Sequence, residues 1–118
     1  MKVKTATLIG EALDWAVANC ENVKLLDPNN NKWESCWTLL GDDSGDYYSP
    51  STNWGQGGLI IEREGISIYP INKNWWATHR NGNKLTHKGD TPLIAAMRCY
   101  VTSKLGEEVE IPDELLKT

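Results

Sequence analysis

The side chains best suited to ligand chemistry in this chain are aromatic and basic, and they gather in two stretches. Tryptophan occurs six times (Trp15, Trp33, Trp37, Trp54, Trp75, Trp76) and phenylalanine not at all. Tryptophan can supply the core bulk that phenylalanine otherwise gives, and Trp15 and Trp37 are expected to do so. Trp54 is different, because it stands between Thr52-Asn53 and Gly55-Gln56-Gly57-Gly58. Glycines there let backbone approach a ligand closely. Trp75 and Trp76 are adjacent, so on a strand they face opposite ways and only one can enter a core. The other is left to stack on something or cover it.

The second stretch is basic. From Lys73 to Gly89 stand Lys73, His79, Arg80, Lys84, His87 and Lys88 with no acidic residue, inside a chain of formal net charge −4. One reading is a solvated hairpin whose lysines protect a sheet edge. The other is an anion pocket, with Trp75 or Trp76 stacked on a base and Arg80 or Lys84 holding phosphate. The candidate binding set is therefore Trp54, Gly57, Trp75, Trp76, His79, Arg80 and Lys84. The acidic balance argues against a protein that lives on a nucleic-acid backbone, but a small nucleotide needs only a local patch.

Signals for catalysis are weak by comparison. Cys20, Cys36 and Cys99 form no CxxC pair and read as reduced thiols that pack like small apolar residues. Asp42-Asp43-Ser44-Gly45-Asp46 lacks the ligand spacing of a calcium loop, and reads as solvated acid. His79 and His87 lack the partners of a zinc site. Glu62 and Glu64 would share one face of a predicted strand as paired carboxylates, but beside Arg63 they read better as surface charge. No catalytic residue, metal or cofactor is predicted.

These residues must be positioned by a small fold. At 118 residues the chain fits one domain, 1–118, with room for one core. The apolar runs Leu59–Ile61 and Leu93–Met97 are too short to cross a membrane, and no apolar stretch follows the basic start. A cytoplasmic protein is expected. Leu13, Ala16, Val17 and Cys20 repeat at helical spacing within Leu8 to Cys20, which predicts a helix capped by Thr7 and ending near Asn22. A short strand is expected around Cys36 to Leu40, then a long irregular connection from Gly41 to Ser51. Gly58 to Arg63 and Ile66 to Ile71 read as a hairpin turning at Glu64-Gly65, with Pro70 marking an edge or a strand end. Trp75 to Arg80 and Lys84 to His87 follow, joined at Asn81-Gly82. Thr91 and Pro92 open a second helix that Gly106 ends, and a final turn covers Pro112 to Leu116. The sum is an α+β fold, an antiparallel sheet of three to five strands packed with an N-terminal and a C-terminal helix.

Four stretches carry a resemblance: Ala12-Leu13-Asp14-Trp15-Ala16-Val17-Ala18, Pro50 to Gly58 (PSTNWGQGG), Ile61-Glu62-Arg63-Glu64-Gly65-Ile66, and Thr91 to Val101 (TPLIAAMRCYV). In this order they resemble the NinX family of lambdoid phage accessory proteins. The resemblance implies a small protein encoded among dispensable early phage genes, acting in the host cytoplasm, with a helix–sheet–helix layering like that of phage ABA-sandwich domains. It transfers no site residues. Joined to the aromatic and basic stretches, it leads to an expected non-catalytic homo-oligomer that binds a small nucleotide-derived ligand and so withholds a host immune signal. Two alternatives stand beside it: a module docking on host or phage replication or recombination proteins, and a weak single-strand nucleic-acid binder.

Overall fold

The computed structural model describes residues 1–22, 25–26, 38–39, 48–80 and 86–116. The predictions that fall on Trp33, Cys36, Trp37, Asp42 to Asp46, Tyr47, the Asn81-Gly82 turn and Lys84 lie outside these residues. The chain opens with strand β1 (Lys2–Lys4) and a 3-10 turn over Thr5–Thr7, then helix α1 (Gly10–Cys20). This corrects the predicted cap. Thr7 donates its hydroxyl to the Lys4 carbonyl (2.8 Å), and Ile9 takes the N-cap position without a side-chain bond. The reason is long-range. Thr5 is tied at both N–H and hydroxyl to the carbonyls of Glu107 and Gly106, each at 2.8 Å, so the chain cannot enter the helix until Gly10.

Strands β2 (Leu25–Leu26) and β3 (Thr38–Leu39) pair antiparallel, β3 falling inside the expected 36–40 window. The largest correction follows. Residues Trp54–Glu64 form helix α2, not a glycine-rich loop leading into a strand. Asn53 caps it by accepting the Gln56 N–H on Oδ1 (3.3 Å), and Gly65 ends it in the left-handed conformation at φ 68°. Gly57 and Ile60 are buried and Ile61 packs on the core, while Leu59 and Glu62 face outward. That is a helical period, and a three-residue apolar run cannot distinguish it from a strand. Glu62 and Glu64 are consequently not a same-face strand pair.

Strands β4 (Ile66–Ile71), β5 (Asn74–His79) and β6 (Thr86–Gly89) form an antiparallel sheet in that order, so β4 is an edge strand, as Pro70 requires. The register pairs Tyr69 with Trp76 and Trp76 with Lys88. Ile66, Ala77 and His79 point inward and are buried. Helix α3 (Pro92–Leu105) has the expected start: Thr91 accepts the Ile94 N–H at 3.1 Å and Pro92 needs no partner for a missing amide. Its Leu93, Ala96, Met97, Tyr100 and Val101 are buried. Strand β7 (Glu108–Glu110) returns to pair with β1, lysine opposite glutamate at both ends. A 3-10 turn over Asp113–Leu116 then brings Leu115 and Leu116 onto the core beside buried Ile111.

The α+β prediction holds, with a different layering. Helix α3 packs against all three strands, and α1 packs chiefly on α3. The order is sheet, α3, α1, with α2 lying against α3 and β4. Gly89 makes this possible on the sheet side, because a Cβ there would stand 2.7 Å from the Ala95 nitrogen.

Candidate functional site

The two ends of α2 meet the rest of the fold in opposite ways. At its C-terminal end the charges are mutually satisfied. Arg63 donates from Nη1 and Nη2 to the two carboxylate oxygens of Glu21 (2.8 and 2.6 Å) and from Nε to Glu64 (3.1 Å). It lies over the Tyr100 ring, 5.6 Å from the centroid, and Tyr100 donates its hydroxyl to Glu21. The other Glu64 oxygen meets His79 Nε2 at 3.1 Å. Arg80 donates to the carbonyls of Glu64 (3.0 Å) and Arg63 (2.7 Å), and so caps the helix end where acceptors lack partners.

The electrostatics follow from these contacts. Hydrogen bonds from Arg63 hold the Glu21 carboxyl below its usual range against the effect of burial. Burial also works against Glu64, but His79 and Arg63 keep it low. Burial pushes the Cys20 thiol up to about 12 and the Cys99 thiol to about 11, so both stay protonated at neutral pH. Burial also lowers the pKa of His87, whose Nε2 sits 2.8 Å from the Thr102 hydroxyl at a cleft of about 560 Å³ shared with Lys4, Ala6, Glu107 and Glu108.

At the N-terminal end of α2 the polar groups are less fully used. A groove of about 190 Å³ is lined by Ser51, Thr52, Trp54, Thr91, Pro92 and Leu93, so the first turns of α2 and α3 both open onto it. Trp54 is 55% exposed beside it. The caps at Asn53 and Thr91 engage the Gln56 and Ile94 amides, leaving the earlier amides of Trp54, Gly55 and Leu93 at the positive ends of two helices. Behind the groove the Asp14 carboxylate accepts the Ser51 N–H (2.8 Å), and burial raises the Asp14 pKa to about 6. The Ser51 hydroxyl is buried and has no hydrogen-bond partner among the described residues. Gly57 fixes the approach of the helix: a Cβ there would lie 2.3 Å from the Pro50 carbonyl and 2.7 Å from Leu93 Cδ2.

The structure divides the predicted set. Trp54 and Gly57 stand at one end of α2 and His79 and Arg80 at the other, about 15 Å apart along the axis. Gly57 packs helix on helix and does not line the groove. Trp75 turns inward onto the core, and Trp76 turns outward in the row Tyr69, Trp76, Lys88. His79 is 4% exposed and held by Glu64. The groove residues Ser51, Thr52, Thr91, Pro92 and Leu93 were missed as site residues. A signal exists in the sequence: Asn53 and Gly65 have the identities of a helix cap and stop with eleven residues between them, which puts Trp54 at a helix start.

No curated protein matches the chain. Among family models, the one described as Bacteriophage P22, NinX matches residues 4–104, a span that includes α1, α2, the three-stranded sheet, the groove and all of α3 but its last residue. The chain belongs to this phage NinX family.

Proposed function

We propose that this phage accessory protein acts by binding rather than by turnover, and that its ligand is a small nucleotide-like molecule taken at the Trp54 groove. The observation that carries the reading is the exposed indole beside a groove onto which two helix N-termini open. A base or other flat ring stacks on the indole, and a phosphate meets the amides of the helix starts. Glycine at 58 leaves the ring uncovered on that side, since a Cβ there would stand 3.9 Å from Trp54 Cε3. Against turnover stand the two histidines, each engaged through Nε2, and the protonated thiols of Cys20 and Cys99 among the described residues. Held without reaction in the host cytoplasm, such a ligand is withheld from its host receptor, which is how a binder would blunt an immune signal.

The test is a thermal-shift screen against linear and cyclic nucleotides and ADP-ribose derivatives, with wild type and Trp54→Ala. Ligand at about a hundred times its dissociation constant adds about 2.7 kcal/mol, a shift of several degrees. The expected result is a shift from one nucleotide class that Trp54→Ala abolishes and Trp76→Ala retains. No shift with any member, or one that survives in Trp54→Ala, would overturn the reading. A second reading, docking on a host or phage protein through α2, is favoured by Leu59, which is 68% exposed on the same helix. Leu59→Ala should then lose a partner captured from host lysate by wild type, with nucleotide shifts unchanged.

A further inference from the structure

We propose that the outer face of the three-stranded sheet is a platform for single-stranded nucleic acid, separate from the Trp54 groove. The alternation that buries Ile66, Ala77 and His79 turns Ser67, Tyr69, Ile71, Asn74, Trp76, Thr78, Thr86 and Lys88 to the other side. None of these is a carboxylate, in a chain with 16 of them and a net charge of −4. Across the strands run Tyr69, Trp76 and Lys88 in register, an aromatic pair ending in an exposed cation. Neighbouring strands lie about 4.8 Å apart, so a base on the Trp76 indole has its own phosphate within reach of the Lys88 ammonium. Lys73, exposed in the turn between β4 and β5, adds a second cation at the end of the face.

Three hydroxyls of this face bond to one another. The Tyr69 hydroxyl bonds Thr78 Oγ1 (2.9 Å), which bonds Thr86 Oγ1 (3.1 Å). Thr78 lies two residues beyond Trp76, the register partner of Tyr69, so the phenol ring leans along the sheet and is held there. A surface of rings and cations, with its central hydroxyls already paired, reads stacking and phosphate rather than base edges. The ligand it fits is sequence-tolerant and unpaired, since a duplex keeps its base faces covered. A peptide adding to the sheet is disfavoured at both edges: Pro70 lacks a donor on β4, and Arg98 already holds the Lys88 carbonyl of β6 (2.8 Å).

The experiment is fluorescence anisotropy of labelled oligo(dT), its duplex with oligo(dA), and a polyglutamate control, at low and raised salt. Wild type should bind the single strand more tightly than the duplex, with affinity falling as salt rises. Trp76→Ala should weaken binding roughly tenfold. Lys88→Glu should weaken it and make the salt dependence shallower. Trp54→Ala should leave it unchanged, which keeps this face distinguishable from the groove, whose loss is read with small nucleotides. The proposal is overturned by absent binding to oligo(dT), by tighter binding to polyglutamate, or by full affinity in Trp76→Ala. If Trp76→Ala fails to melt cooperatively, full affinity in Lys88→Glu overturns it equally.

Discussion

The two ends of α2 use polar chemistry in opposite ways. At the C-terminal end Glu21, Arg63, Glu64, His79, Tyr100 and Arg80 are each bonded to another part of the fold. At the N-terminal end a carboxylate is buried against its own preference, a serine hydroxyl is buried without a partner among the described residues, and an indole is left in solvent. The residues with the richest chemistry by type are therefore consumed as structure. What the N-terminal end of α2 offers instead is small hydroxyls, backbone amides and one exposed tryptophan. Charged side chains near a helix end are poor evidence of a site until their partners have been counted.

The largest expected effect on this contrast comes from Gly57→Ala. In an exposed helix that change would stabilise by about 1 kcal/mol, but here the new methyl meets the Pro50 backbone, which cannot swing away. A net loss of about 2–4 kcal/mol in urea unfolding is expected, with the groove distorted and the Arg63 network retained. A neutral result would mean that α2 can tilt, and that its N-terminal end is not fixed by close packing.

Asp14→Asn should act in the other direction, by about 2 kcal/mol, and in a pH-dependent way. Burial raises the folded Asp14 to about 6 from an ordinary 3.8, so the fold prefers the protonated form. That preference contributes fully below about pH 3.8 and is lost as pH climbs through about 6. The asparagine variant should be more stable than wild type at pH 7.5, and the advantage should fade toward pH 4. Glu21 and Glu64 have the opposite sign: their folded pKa values are depressed, so the C-terminal network is whole at neutral pH and weakens as pH falls through the acid range. Chemical denaturation at several pH values, on Asp14→Asn and Glu21→Gln in parallel, separates the two ends by the slopes of the two differences.

Arg63→Ala should cost about 1–2 kcal/mol. Its side chain is half exposed, which limits the ion pair, but removing it strands Glu21 and uncovers the Tyr100 ring. Its nucleotide-induced thermal shift should be unchanged. The smallest stability effect belongs to Trp54→Ala, within about 0.5 kcal/mol, because the indole is mostly in solvent. That variant should nevertheless lose the ligand shift. Destabilisation of 2 kcal/mol or more would show that Trp54 is a packing residue and remove the contrast between the ends.

Much of the fold was legible because local physics dictates it. Thr91, Pro92 and Gly106 bracket α3 by their own backbone preferences, and Pro70 on an edge strand follows from a missing amide. That Trp75 and Trp76 face opposite ways follows from the two-residue period of a strand, and the packing of the sheet on α3 decides that Trp75 is the inward one. Helix α2 was not read, because Leu59-Ile60-Ile61 satisfies both periods and four flanking glycines and turns suggest a loop. Only burial of Ile60 and Gly57 together against α3 selects the helix. Strands β1 and β7 escaped for another reason: three residues each have no period, and their pairing joins residues more than a hundred positions apart.

The sequence by itself determined the class of fold, the family, the termini of α3 and the existence of a carboxylate-free aromatic and basic stretch. Each of these depends on contacts within a few residues or on composition. The tertiary structure decided which candidates could act together. It set His79 and Arg80 against the C-terminal end of α2, and brought Trp54 beside Ser51, Thr91 and Leu93. Those outcomes rest on long-range hydrogen bonds and on close packing at Gly57, where whole elements compete for the same space. Side-chain type names the chemistry a residue can do, and only its neighbours in space settle whether that chemistry is already spent.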